Sequence, residues 1–187
     1  MSVQVNHMLL TFLQLNLTHI VHRRFATLCR NTIALQIMMS QKVRVTKKFT
    51  FDMAHALFGY DGPCKNIHGH TYHLSVTLMG TPLADPSNVK LGMVVDFGDL
   101  KTLVKDTILN EFDHALVLNE EAPYSKSEVI SNEFEKVILV PYQPTCENLL
   151  LDFVSRLKPL FPAAMKLTSI RLEETPSSFA EWNQGDN

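Results

Sequence analysis

Two runs of alternating residues face each other across a short loop rich in turn formers, and this constrains the chain more than any other feature. The first run places Val43, Val45, Phe49, Phe51, Met53 and His55 at strand spacing; the second places His70, Tyr72, Leu74, Val76 and Leu78. Apolar residues at period two predict half-buried strands. An irregularity is expected at Lys47-Lys48, where the first alternation turns polar. Gly59 and Asp61-Gly62-Pro63 between the runs predict a loop, and that loop carries Cys64.

The end of the loop reads Cys64-Lys65-Asn66-Ile67-His68-Gly69-His70. Side chains two apart on a strand share a face, so His68 and His70 project together, and His55 shares its face with Phe51 and Met53. Pairing of the two strands therefore brings three imidazoles toward one point. Imidazole is a good ligand for a borderline metal such as zinc, and catalytic zinc sites commonly combine three protein ligands with one open position. A His-Gly-His in a loop is often incidental; here the ligand count and the nearby thiol favour Zn2+ held by His55, His68 and His70. His73 falls on the opposite, polar face and is left out.

With 187 residues the chain suits one domain with a real core. A net charge of −2 with 19% charged residues gives no footprint for nucleic acid. Cys29, Cys64 and Cys146 form an odd, widely spaced set unlike a disulfide framework, which points to a reducing compartment, the cytoplasm. No run approaches the roughly 18 to 20 apolar residues that span a bilayer, so a soluble protein without membrane partners is expected.

Residues 1–38 carry Arg23, Arg24 and Arg30 but no Asp, Glu or Lys, whereas all 19 acids lie later. That composition suits a transit peptide, but the order of a signal peptide is missing. The expectation is an upstream extension outside the fold, with translation starting at Met38 or Met39 and the domain spanning 39–187.

Farther along, the apolar spacing from Asp99 to Leu109 is helical, with Asp96 or Asp99 as the cap. Residues 111–143 show no clean period, and Glu120–Ser127 reads as a surface loop. Thr145 is the expected N-cap of a second helix whose buried stripe is Leu149, Leu150, Phe153, Val154 and Leu157. A third strand covers Leu167–Leu172 and a short fourth Ser178–Trp182. The outline is ββααββ: an α+β fold with a four-stranded antiparallel sheet and two helices on one face. Its open edges and uncovered second face argue for an oligomer.

Taken together, Phe51-x-x-Ala54-His55, Cys64-x-x-x-His68-Gly69-His70, Val95-Asp96-Phe97 with Leu100-Lys101, Asp113-His114, Pro144-Thr145-x-Glu147-Asn148 and Glu174-Thr175 resemble the family of 6-pyruvoyltetrahydropterin and 6-carboxytetrahydropterin synthases. The match runs from about Val43 to Trp182. Pyruvoyl enzymes typically place more residues between the cysteine and His-Gly-His, and a folate-pathway branch replaces the cysteine by glutamate. The short gap and Cys64 therefore favour the carboxy branch, which serves queuosine and 7-deazapurine biosynthesis.

The resemblance implies a tunnelling fold, trimers stacked into a homohexamer, and active sites between subunits. It implies a zinc-dependent lyase that converts 7,8-dihydroneopterin triphosphate to 6-carboxy-5,6,7,8-tetrahydropterin, with loss of triphosphate and acetaldehyde. Cys64 matches the family's base, Asp113 and His114 its relay, and Glu174 its pterin anchor with a part in the relay. Adjacent side chains on extended backbone diverge, so Asp113 serves His114 directly only if a turn lies there. Thr145 is read equally as a substrate contact and as a cap, and Lys47, Lys48 and Lys65 are candidates for the triphosphate. Two other readings stay open: the 6-pyruvoyl activity, and a non-catalytic zinc-containing protein that binds pterin or builds an assembly.

Overall fold

A computed structural model of the chain describes Arg30, Ser40 and residues 41–187. Apart from Arg30, the expected extension lies outside the described residues. Lys42–Asn187 forms a compact unit.

Strands β1 (Val43–Ala56) and β2 (His68–Gly80) pair antiparallel in unbroken register from Val43 opposite Gly80 to His55 opposite His68. No irregularity interrupts β1 at Lys47-Lys48. Lys47 keeps its place in the alternation because its long stem lies along apolar surface, with Nζ 6.0 Å from the centre of the Phe49 ring and 5.7 Å from that of Phe97. The shift in register falls instead where β2 meets β5 (Met165–Thr175), between Thr77 and Leu78. Strand β6 (Ser178–Asn183) completes that side.

The α+β class holds, but the sheet is six-stranded, in the order β4-β3-β1-β2-β5-β6, rather than four-stranded. The two additions, β3 (Ala115–Asn119) and β4 (Val137–Val140), run parallel to β1. They arise inside the stretch whose sequence shows no period. Ala115 and Val117 join the main core while Leu116 and Leu118 join a second cluster with Ala56 and Ile130. A strand buried on both faces has no polar alternation to betray it.

Helix α1 (Phe97–Val104) begins at the Asp96 cap, whose carboxylate accepts from the Gly98 amide at 2.7 Å, while Asp99 pairs with Lys90. A π-helical turn at Lys105–Leu109 and a last turn at Asn110–Phe112 extend it. Helix α3 (Cys146–Leu157) buries the expected stripe, and Leu100, Val104, Ile108 and Phe112 of the first helical segment meet it over one face of the sheet. The short helix α2 (Glu128–Glu133) instead places Ile130 in the second cluster, on the opposite face.

Candidate active site

The paired ends of β1 and β2 build the site. His55 and His68 are direct cross-strand partners, and His70 lies opposite Met53, one step along the same face. The ring centroids are 4.5 Å apart for His55 and His68, 5.0 Å for His68 and His70, and 5.4 Å for His55 and His70. One nitrogen from each ring lies within 4.8 Å of the others.

In His55 and His68 the other ring nitrogen is committed to a backbone carbonyl. His55 Nδ1–H donates to the Pro144 carbonyl at 2.7 Å, and His68 Nδ1–H donates to that of Asn66 at 2.8 Å. Those bonds fix the tautomers and turn the Nε2 lone pairs toward the shared centre. Nε2 of His55 and of His68 is buried with no hydrogen-bond partner among the described residues. Orphaned acceptors of that kind are rare in a core, and two converging with a third imidazole fit a bound metal ion. His55 is only 2% exposed, and burial holds its pKa below the ordinary 6.5, with His68 and His70 pushing the same way. A neutral imidazole is the form that ligates metal.

Helix α3 supports this arrangement through the residues before it. Gln143 exchanges two amide bonds with Phe58, accepting from its N–H at 3.1 Å and donating to its carbonyl at 2.7 Å. Pro144 accepts from His55, and the Thr145 hydroxyl caps α3 by accepting from the Asn148 amide at 3.3 Å. Cys64 sits partly exposed in a short turn, Pro63–Lys65, and its carbonyl accepts from the Leu57 amide at 2.9 Å. The thiol loop is thereby fastened two residues past one imidazole and ends four residues before the next.

Glu174, at the end of β5, reaches the same centre. Its Oε1 lies 3.6 Å from His55 Nε2 and 3.9 Å from His70 Nε2, and it accepts from the Tyr72 hydroxyl at 3.1 Å. Burial, reinforced by the charge and hydrogen bond of Glu174, pushes the Tyr72 phenol far above its ordinary range. The Cys146 thiol is buried against the Leu172 carbonyl, and burial pushes its pKa up to about 11, which keeps it protonated and inert.

Asp113 and His114 do form a pair, with Nδ1–H donating to Asp113 Oδ1 at 2.9 Å. The turn that permits it is His114 itself, whose φ of 61° is left-handed. Asp113 is pinned in turn by the Asp52 amide at 3.1 Å. This pair makes no hydrogen bond to the three histidines. Asp52 and Thr71 alternate with the histidine-bearing positions and lie on the other face of the sheet. There they line, with His70 and the 76% exposed His114, a cleft of about 400 Å³.

Reading the sequence missed Tyr72, Gln143 and Pro144. Tyr72 had a signal, since it stands two residues after His70 on the same face; a backbone carbonyl such as that of Pro144 leaves none.

Comparison with known proteins agrees with this geometry. The family model described as 6-pyruvoyl tetrahydropterin synthase matches residues 44–185. A curated relative from Haemophilus influenzae, named 6-carboxy-5,6,7,8-tetrahydropterin synthase, is 39% identical over 143 residues, covering 75% of this chain and 99% of its own. A relative of the same name from Rickettsia bellii is 33% identical, covering 74% of this chain and 99% of its own. Among solved structures, the 6-pyruvoyl tetrahydropterin synthase of Caenorhabditis elegans superposes with a TM-score of 0.53 at 25% identity, over 76% of this chain and 96% of that one. Matches of this extent, joined to three converging imidazoles on paired strands, place the chain in the 6-pyruvoyl tetrahydropterin synthase family, as an enzyme of its lyase type.

Proposed function

We propose that the protein is a zinc-dependent 6-carboxytetrahydropterin synthase. It takes 7,8-dihydroneopterin triphosphate to 6-carboxy-5,6,7,8-tetrahydropterin, with release of acetaldehyde and triphosphate, in the cytoplasm and on the route to queuosine and related 7-deazapurines. The observation that carries this reading is the convergence of His55, His68 and His70, two of them with orphaned Nε2 atoms, beside a loop that presents Cys64. The names of the Haemophilus and Rickettsia relatives favour the carboxy branch.

His55, His68 and His70 would hold the zinc, which supplies a Lewis acid that polarises substrate oxygens and lowers the pKa of hydroxyl groups. Cys64, partly exposed in its short turn, takes and returns protons at the side-chain carbons. Glu174 is acceptor-only when ionised and meets the pterin amino group and adjacent ring N–H with its two oxygens. The Thr145 hydroxyl accepts from the Asn148 amide and keeps its own proton for a substrate contact. Asp113 orients His114 for proton relay. That pair makes no hydrogen bond to its own chain's histidines, and it serves the site of a neighbouring subunit in a homohexamer, where the open edges at β4 and β6 also find partners.

A second reading, the 6-pyruvoyl activity, is favoured by the description of the family model and by the Caenorhabditis structure. Incubation of purified protein with dihydroneopterin triphosphate separates the two: acetaldehyde with a carboxylated pterin is expected, and a pyruvoyl pterin without acetaldehyde would overturn the assignment. Cys64→Ala is expected to keep its zinc and lose at least about 100-fold in rate, the scale of general acid–base catalysis. An unchanged rate would favour a non-catalytic pterin-binding or assembly protein.

A further inference from the structure

The hydroxyl of Tyr72 has no part in the steps above, although it is placed at the centre of the site. The residue is fully buried, at 0% exposure, and its ring stacks on Phe51 with centroids 5.4 Å apart. It stands edge-on to His55 and His70 at 6.2 and 5.7 Å. A ring confined in this way cannot swing, so its O–H is a fixed donor. The acceptor, Glu174 Oε1, belongs to a side chain that is 24% exposed and far less confined.

Two donor atoms on one tetrahedral zinc, each about 2.0–2.1 Å from the ion, stand roughly 3.4 Å apart. Glu174 Oε1 is 3.6 Å from His55 Nε2 and 3.9 Å from His70 Nε2, within half an ångström of fourth-ligand distance from both. A carboxylate oxygen is a competent zinc ligand, and a fourth protein ligand would turn an open site into a closed, structural one. What stands against that closure is the bond from the immobile phenol, which tethers the same oxygen to a fixed point and resists its last half-ångström of travel toward the ion.

We propose that Tyr72 is a positioning residue that holds Glu174 back from the metal, so that the site keeps three protein ligands and the carboxylate stays available to substrate. This inference rests on the zinc reading given above. Tyr72→Phe removes only the hydroxyl and keeps the stack on Phe51, so it releases Oε1 with little change in packing.

The test uses the full-length protein loaded with Co2+, whose visible absorption reports its ligand set, and zinc transfer to a competing chelator. Tyr72→Phe is expected to shift the Co2+ spectrum and to hold zinc about tenfold more tightly, the scale of effects around first-shell ligands. Its KM for the pterin substrate rises more than its kcat falls, because the anchor has been diverted. Tyr72→Phe combined with Glu174→Gln restores the spectrum of the parent protein. Glu174→Gln alone leaves zinc retention unchanged, which tests the inference even if Tyr72→Phe fails to fold; weaker retention in that variant would overturn it. A parent protein that binds metal while Tyr72→Phe leaves both spectrum and retention unmoved overturns this inference alone. A parent protein that binds neither Co2+ nor Zn2+ overturns the zinc reading together with it.

Discussion

Replacing His68 by phenylalanine is expected to stabilise the metal-free protein and destabilise the metal-loaded one. Without metal, His68 carries a buried Nε2 that lacks a hydrogen-bond partner, and a buried acceptor left unmade costs about 1–3 kcal/mol. Phenylalanine removes that atom and keeps the ring. The same change deletes the 2.8 Å bond from Nδ1–H to the exposed Asn66 carbonyl, worth about 0.5–1.5 kcal/mol, and water replaces it there. The net gain is about 1 kcal/mol, or a rise in Tm of about 2–4 °C for a chain of this size. With free zinc at about a thousandfold above its Kd, the parent protein gains about 4 kcal/mol by linkage. A variant left with two ligands forgoes most of that, so its Tm falls below the parent's by about 6–12 °C. Differential scanning calorimetry at fixed protein concentration, with excess zinc and again with chelator, measures both differences. Loss of stability of similar size in both conditions would refute the reasoning, because it would mean that the imidazole serves packing and not a metal.

Thr145→Ala is expected to lower Tm by about 2–4 °C through loss of the α3 cap, worth about 1 kcal/mol, while Thr145→Ser retains it; an unchanged Tm by circular dichroism would show that the hydroxyl does not cap. His55 makes the metal-free protein sensitive to acid. Its folded pKa lies below the ordinary 6.5, so the unfolded chain binds the proton more readily. The stabilisation from keeping it neutral is therefore complete above pH 6.5 and declines as pH falls from 6.5 toward the lowered value. Denaturant midpoints measured between pH 7.5 and 5.5 should decrease in the parent protein and decrease less in His55→Gln; parallel slopes would contradict the assignment.

The histidine trio was legible because strand parity alone decides it: His55, His68 and His70 share a face in any pairing that keeps Phe51 and Tyr72 inside. The helix starts were equally plain, since Asp96 and Thr145 are side chains whose chemistry suits a cap. What escaped was set by tertiary context. Leu116 and Leu118 are inward-facing only because Ile130 and Ala56 wait on the far side of the sheet, and nothing local to β3 announces a second core. The Asp113-His114 pair depends on a left-handed histidine, which sequence permits but does not demand. Lys47 looked like a break in β1 because its charge conceals the apolar stem by which it keeps the alternation.

The double amide clasp between Gln143 and Phe58 carries a consequence for how this centre tolerates change. Gln143 and Pro144 hold the His55 ring and the start of the loop that leads to Cys64, so a substitution there is expected to move the imidazole and the thiol together rather than one at a time. Variants at Gln143 should therefore lose metal retention and thiol reactivity in step, and an altered sequence that restores one ought to restore the other.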